Sequence, residues 1–189
     1  MTRDIAASVR NRLLTYARST KRPFQEVLQY FAMERFLYRL AQSEARDRLI
    51  LKGGLLLTVW QAPTTRPTVD IDLLGYMENE PAAVLAAICS ICRHPVEPDG
   101  LIFDADSARS EPINPEAEYA GVRVQFRGSL QTARIHMQID IGFGDATFPA
   151  PEPISYPTLL QFPAPKIRAY QRETSIAEKN FRPWCFAVC

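Results

Sequence analysis

Two aspartates, Asp70 and Asp72, stand two residues apart in a segment where Val69, Ile71 and Leu73 alternate with Thr68, Asp70 and Asp72. A period of two marks a strand with one face on a core, so both carboxylates are expected on the same face. Residues two apart on a strand lie roughly 7 Å apart at Cα, and their side chains can converge on a pair of cations about 3.5–4 Å apart, the spacing of a two-metal site. The same pattern also serves as an ordinary solvated strand face, so the pair alone does not define the chemistry.

Upstream, Arg48 to Leu51 reads as a short strand, Lys52-Gly53-Gly54 as a turn, and Leu55 to Trp60 as the start of a helix. Glycines let a backbone approach a phosphate, a helix N-terminus offers unpaired N–H groups, and Lys52 adds a full positive charge. A glycine turn, a helix and a D-x-D strand in that order resemble the nucleotidyltransferase motif of the polymerase-β-like superfamily. The gap between Gly54 and Asp70 is long for that motif.

Those residues must be carried by a compact body. The chain has 189 residues, 47% of them hydrophobic, which suits one domain with a sizeable core. A net charge of +1 gives no global attraction to nucleic acid or membrane, so any polyanion site has to be a local patch. The N-terminus MTRDIAASVRNRLL has no apolar leader core, and no long apolar run occurs; the chain is expected to be cytoplasmic and without a membrane partner. Cys89 and Cys92 form one C-x-x-C, but their neighbours Ile88 and Ile91 point to buried thiols rather than zinc or redox chemistry.

Helical spacing places α-helices over Ile5 to Ala17 and Pro23 to Ala41. Glu34 and Arg35 within the second read as a solvated or paired face. Asn79-Glu80-Pro81 opens a helix running to Cys92, and His94 caps it. Leu101 to Asp104 is a short strand followed by a second D-x-D, Asp104 and Asp106, read as loop aspartates of an Asx turn. Val122 to Phe126 and Ile135 to Ile141 alternate as a hairpin joined by a glycine-containing turn. On its polar face stand Arg123 and Arg127, read either as phosphate contacts or as salt bridges, and Asp140. Polymerase-β-like sites add a carboxylate from a neighbouring strand to the D-x-D, which makes Asp140 the candidate third ligand. Asp145 reads as a turn residue, Pro149 to Pro157 as a connector outside any central strand, and Thr174 or Ser175 with Glu178 as a capping box opening a last helix.

The blocks LKGGLLLTVW, RPTVDIDLLG, YAGVRV, MQIDIGFGD, YPTLL, FPAPKIRAY and RETSIAEK together resemble the AbiEii/AbiGii toxin family of nucleotidyltransferases. The resemblance implies an α+β fold with a polymerase-β-like core, a mixed sheet flanked by helices, behind an N-terminal helical segment. It implies transfer of nucleotides from a nucleoside triphosphate to an RNA acceptor such as tRNA. Mg2+, with Mn2+ as an alternative, would be held by Asp70, Asp72 and Asp140, and a cognate antitoxin is a possible partner. Lys52, Gly53, Gly54, Arg66 and Lys179 fall on nucleotide or phosphate contacts. The expected division is a helical segment at 1–47, the core at 48–179 and an aberrant tail at 180–189.

Family members continue through a helical part with a further Lys-Asp-x-x-Asp-like motif, whereas NFRPWCFAVC has no helical period. The tail reads as out-of-frame translation, so a frameshifted or truncated member is expected. The alternative function is then a catalytically inactive module that binds only nucleotide or antitoxin.

Overall fold

A computed structural model of the chain describes residues 4–62, 67–113 and 121–181, with side chains to residue 177. Arg66, the Lys179 side chain and the tail from 182 onward, with Cys185 and Cys189, lie outside the described residues. No helix among the described residues is long and apolar enough to cross a membrane.

Helices α1 (Ile5–Thr20) and α2 (Phe24–Gln42) follow the apolar spacing of the sequence. Asp4 caps α1 by accepting the Ala7 N–H, and the chain turns between the helices at Lys21, whose φ is 55°. Strand β1 (Leu49–Lys52) leads through a 3-10 turn at Gly53–Leu55 into α3 (Leu56–Val59). Then come β2 (Ile71–Gly75), α4 (Pro81–Arg93), and the long strands β3 (Leu101–Ile113), β4 (Gly121–Leu130) and β5 (Ala133–Phe143). The short β6 (Glu152–Ser155), β7 (Lys166–Ala169) and α5 (Arg172–Phe181) complete the order.

The strands form one mixed sheet in the order β3-β4-β5-β2-β1-β7-β6. β2 runs antiparallel to β1 and parallel to β5; β7 runs parallel to β1. One face carries α2, which is buried on nearly every side: Phe31, Phe36, Leu37 and Leu40 are fully enclosed. Phe36, Phe103 and Phe126 meet at ring separations of 5.7–6.1 Å, joining α2 to β3 and β4. The architecture is the α+β arrangement expected, with N-terminal helices on a mixed sheet.

Several local expectations are corrected. The helix after the glycine turn is only four residues long, too short for an appreciable macrodipole. Strand β2 starts at Ile71, leaving Val69 63% exposed, because the preceding segment is tied to α2 instead: Thr68 N–H donates to the Tyr30 hydroxyl and Gln29 donates to the Val69 carbonyl. The hairpin turn contains no glycine. It is made at Gln131, with φ 53°, while Gly128 lies inside β4 with the Phe103 ring against its backbone.

The second D-x-D is not in a loop but in β3, beside a bulge between Asp104 and Arg109. Ser107 N–H nevertheless bonds the Asp104 carboxylate at 3.3 Å, so the Asx geometry is kept within the strand. The capping box is not used: α5 begins at Arg172, and Thr174 donates to the Pro149 carbonyl. The proline-rich connector holds β6 at the sheet edge, where an absent N–H is tolerated.

Candidate active site

The site begins as a row of side chains across the sheet's open face. Lys52 on β1 is in register with Asp72 on β2, Asp72 with Asp140 on β5, Asp140 with Arg123 on β4, and Arg123 with Glu111 on β3. Register partners share a face, so five strands contribute one line of charge: positive, negative, negative, positive, negative. Asp70, one residue before β2, completes a group in which one carboxylate oxygen from each of Asp70, Asp72 and Asp140 lies within 4.8 Å of the others.

The glycine turn is built against this group. Gly53 has φ +73°, and a Cβ there would strike the Asp72 carboxylate. Gly54 N–H donates to the same carboxylate. Asp72 is held above the usual carboxylate range, first by burial and then by the charge of Asp70; Asp140 adds to the rise, while the Gly54 bond and Lys52 oppose it.

Three hard, half-buried oxygen donors crowded so closely suit a divalent cation of the magnesium type. The bare glycine leaves their carboxylates room.

Two charge pairs fix the ends of this group. Arg123 grips Asp140 with both arms of its guanidinium, Nε to Oδ1 at 2.8 Å and Nη2 to Oδ2 at 2.7 Å. Asp145, just past the end of β5, takes the Lys52 ammonium at 2.5 Å and the Tyr170 hydroxyl at 3.3 Å. Lys52 is thus held at the edge of the row, buried, with its ammonium close to Gly142. Arg127 pairs with Asp104 at 3.3 Å and Asp106 with Arg93 at 2.6 Å, away from the carboxylate group. Arg123 and Arg127 both form salt bridges. The C-x-x-C holds thiols: Cys92 is buried and pushed up to about 12 by burial, and Cys89 donates to the Ala105 carbonyl at 3.5 Å.

A family model described as the nucleotidyl transferase AbiEii toxin of type IV toxin–antitoxin systems matches residues 35–181. The chain belongs to this family. Two solved structures share the AbiEii-like chain's fold: JHP933 from Helicobacter pylori, with TM-score 0.51, and a candidate nucleotidyltransferase from H. pylori, with TM-score 0.50. Each is 17% identical and is matched over 82% of this chain. The chain spans 56% and 57% of those proteins, little more than half their length. No curated protein matches it.

Proposed function

We propose that this AbiEii-family chain is a metal-dependent nucleotidyltransferase that acts on an RNA acceptor such as tRNA, within a cytoplasmic toxin–antitoxin system of the phage-defence type. The observation that carries the reading is the register of Asp72 with Asp140 on adjacent parallel strands, with Asp70 beside them. Asp70, Asp72 and Asp140 would hold Mg2+ or Mn2+. When bound, two such cations supply charge neutralisation for a triphosphate and its pyrophosphate leaving group, and activation of an acceptor hydroxyl.

The chain's own residues do the rest. Gly53 brings backbone next to Asp72 without a side chain in the way. Lys52, fixed by Asp145, supplies positive charge at the neighbouring register position and suits a phosphate contact. Arg66 and Lys179 are proposed as further phosphate or nucleotide contacts. We assign the helical segment to 1–47 and the transferase core to 48–179, and a cognate antitoxin is the proposed protein partner.

Label transfer from a radioactive nucleoside triphosphate into bulk tRNA tests the reading. Asp70→Ala with Asp72→Ala should abolish transfer while thermal unfolding stays within a few degrees of the parent, because removing crowded carboxylates relieves repulsion. Transfer that survives both changes overturns the metal assignment.

A further inference from the structure

Of the three carboxylates, Asp140 alone is held by an arginine among the described residues. Arg123 occupies both of its oxygens, and Gln138 reaches Oδ2 as well at 3.4 Å. Bidentate guanidinium pairing is among the stronger charge-assisted contacts and fixes the carboxylate's orientation. A divalent cation bound to Asp140 would have to share an oxygen with a full positive charge less than 3 Å away.

The guanidinium has somewhere to go. Its side chain is 33% exposed, and Glu111 stands in register on its far side, near enough to favour its charge.

We propose that Arg123 is a latch on Asp140, occupying the metal-facing carboxylate until an entering divalent cation displaces it toward Glu111. This rests on the metal-site reading of Asp70, Asp72 and Asp140. Arg123 is then a positioning residue that acts through Asp140. Arg123 neutralises Asp140 in the row, and cation entry exchanges that arginine for metal at the third carboxylate.

A purely structural salt bridge makes the opposite prediction. If Arg123 merely holds Asp140 in place, losing the fork loosens the carboxylate and weakens metal binding.

Mn2+ titration of the full chain, followed by electron paramagnetic resonance of the free ion, separates these. Arg123→Lys keeps the charge but cannot engage both oxygens; it should tighten Mn2+ about threefold, and Arg123→Ala about fivefold, the range expected for a partly exposed charged pair. In an Asp140→Asn background Arg123→Lys should change the affinity less than about twofold, because the latch has lost its anchor.

Weaker binding in Arg123→Lys, or an affinity equal to that of the parent chain, overturns the latch while leaving the metal site standing. If neither the parent nor Arg123→Ala binds Mn2+, the metal-site reading falls and the latch falls with it.

Discussion

Two charge clusters in this molecule use the same kinds of side chain under different constraints. Between α2 and the loop before β3, Glu34, Arg35, Arg39 and Asp99 are sealed inside the fold. Asp99 receives Arg39 at 2.7 and 3.1 Å, Arg35 at 3.3 Å and the Leu101 N–H at 3.0 Å. Arg35 also donates to the Pro163 carbonyl and lies over the Tyr38 ring. Opposite charges alternate here, and the cluster pins α2 to two loops.

On the open face the carboxylates instead lie next to one another, Asp72 in register with Asp140 and Asp70 adjacent. A network that serves only to hold elements together closes its charges on itself. One that leaves like charges in contact keeps a demand for a cation.

That contrast can be broken experimentally. Asp99→Asn should destabilise the chain by about 3–5 kcal/mol, since two guanidiniums lose their buried counter-charge; urea unfolding measures it. A loss below about 1 kcal/mol would make the sealed cluster no more structural than a surface pair.

Glu34 is the one flaw in the closure. It accepts the Leu159 N–H at 2.7 Å, yet its other oxygen has no hydrogen-bond partner and only reaches Arg35 at 3.6 Å. Burial pushes its carboxyl up from 4.5 to about 7. The folded state therefore keeps the proton after the unfolded chain has released it. The stability contributed by the neutral acid is full below pH 4.5, is lost as pH rises toward 7, and stays lost above that.

Glu34→Gln should remove this slope, leaving the variant more stable than the parent by up to about 3 kcal/mol above pH 7. Unfolding midpoints from pH 5 to 8 check it, and parallel curves for the two proteins would refute it.

The smallest expected effect sharpens the open side. Gly53→Ala should cost about 1–2 kcal/mol through its left-handed backbone, with a weakening of Mn2+ binding out of proportion, because the new methyl displaces the Asp72 carboxylate. Thermal unfolding alongside Mn2+ titration reads both. Unchanged binding would mean that the glycine serves the turn alone.

The open cluster was largely legible in the sequence. A period of two placed Asp72 and Asp140 on polar strand faces, and the glycines announced a turn. Their partners were not legible, because the pairing of Arg123 with Asp140 depends on hairpin register, and that is set at Gln131 rather than at a glycine. Lys52 and Asp145 lie too far apart in the chain for any local pattern to join them.

The sealed cluster was legible only in part. Of the solvated or paired readings of Glu34 and Arg35 the paired one applies, but helical periodicity does not show that α2 has almost no solvent face, being covered by the sheet on one side and by loops at Leu159 and Pro163 on another. Strand β7 escaped notice because four residues paired through Leu51 and Ala169 carry too short a pattern.

The parallel pairing of β2 with β5 has a consequence in time. Asp70 and Asp72 precede α4, β3 and β4 in the chain, and Asp140 follows them. During synthesis the glycine turn and first two aspartates emerge early, but the third carboxylate reaches its neighbours only when the whole intervening crossover has been made and docked. A chain interrupted anywhere between β2 and β5 therefore holds two of the carboxylates without the third.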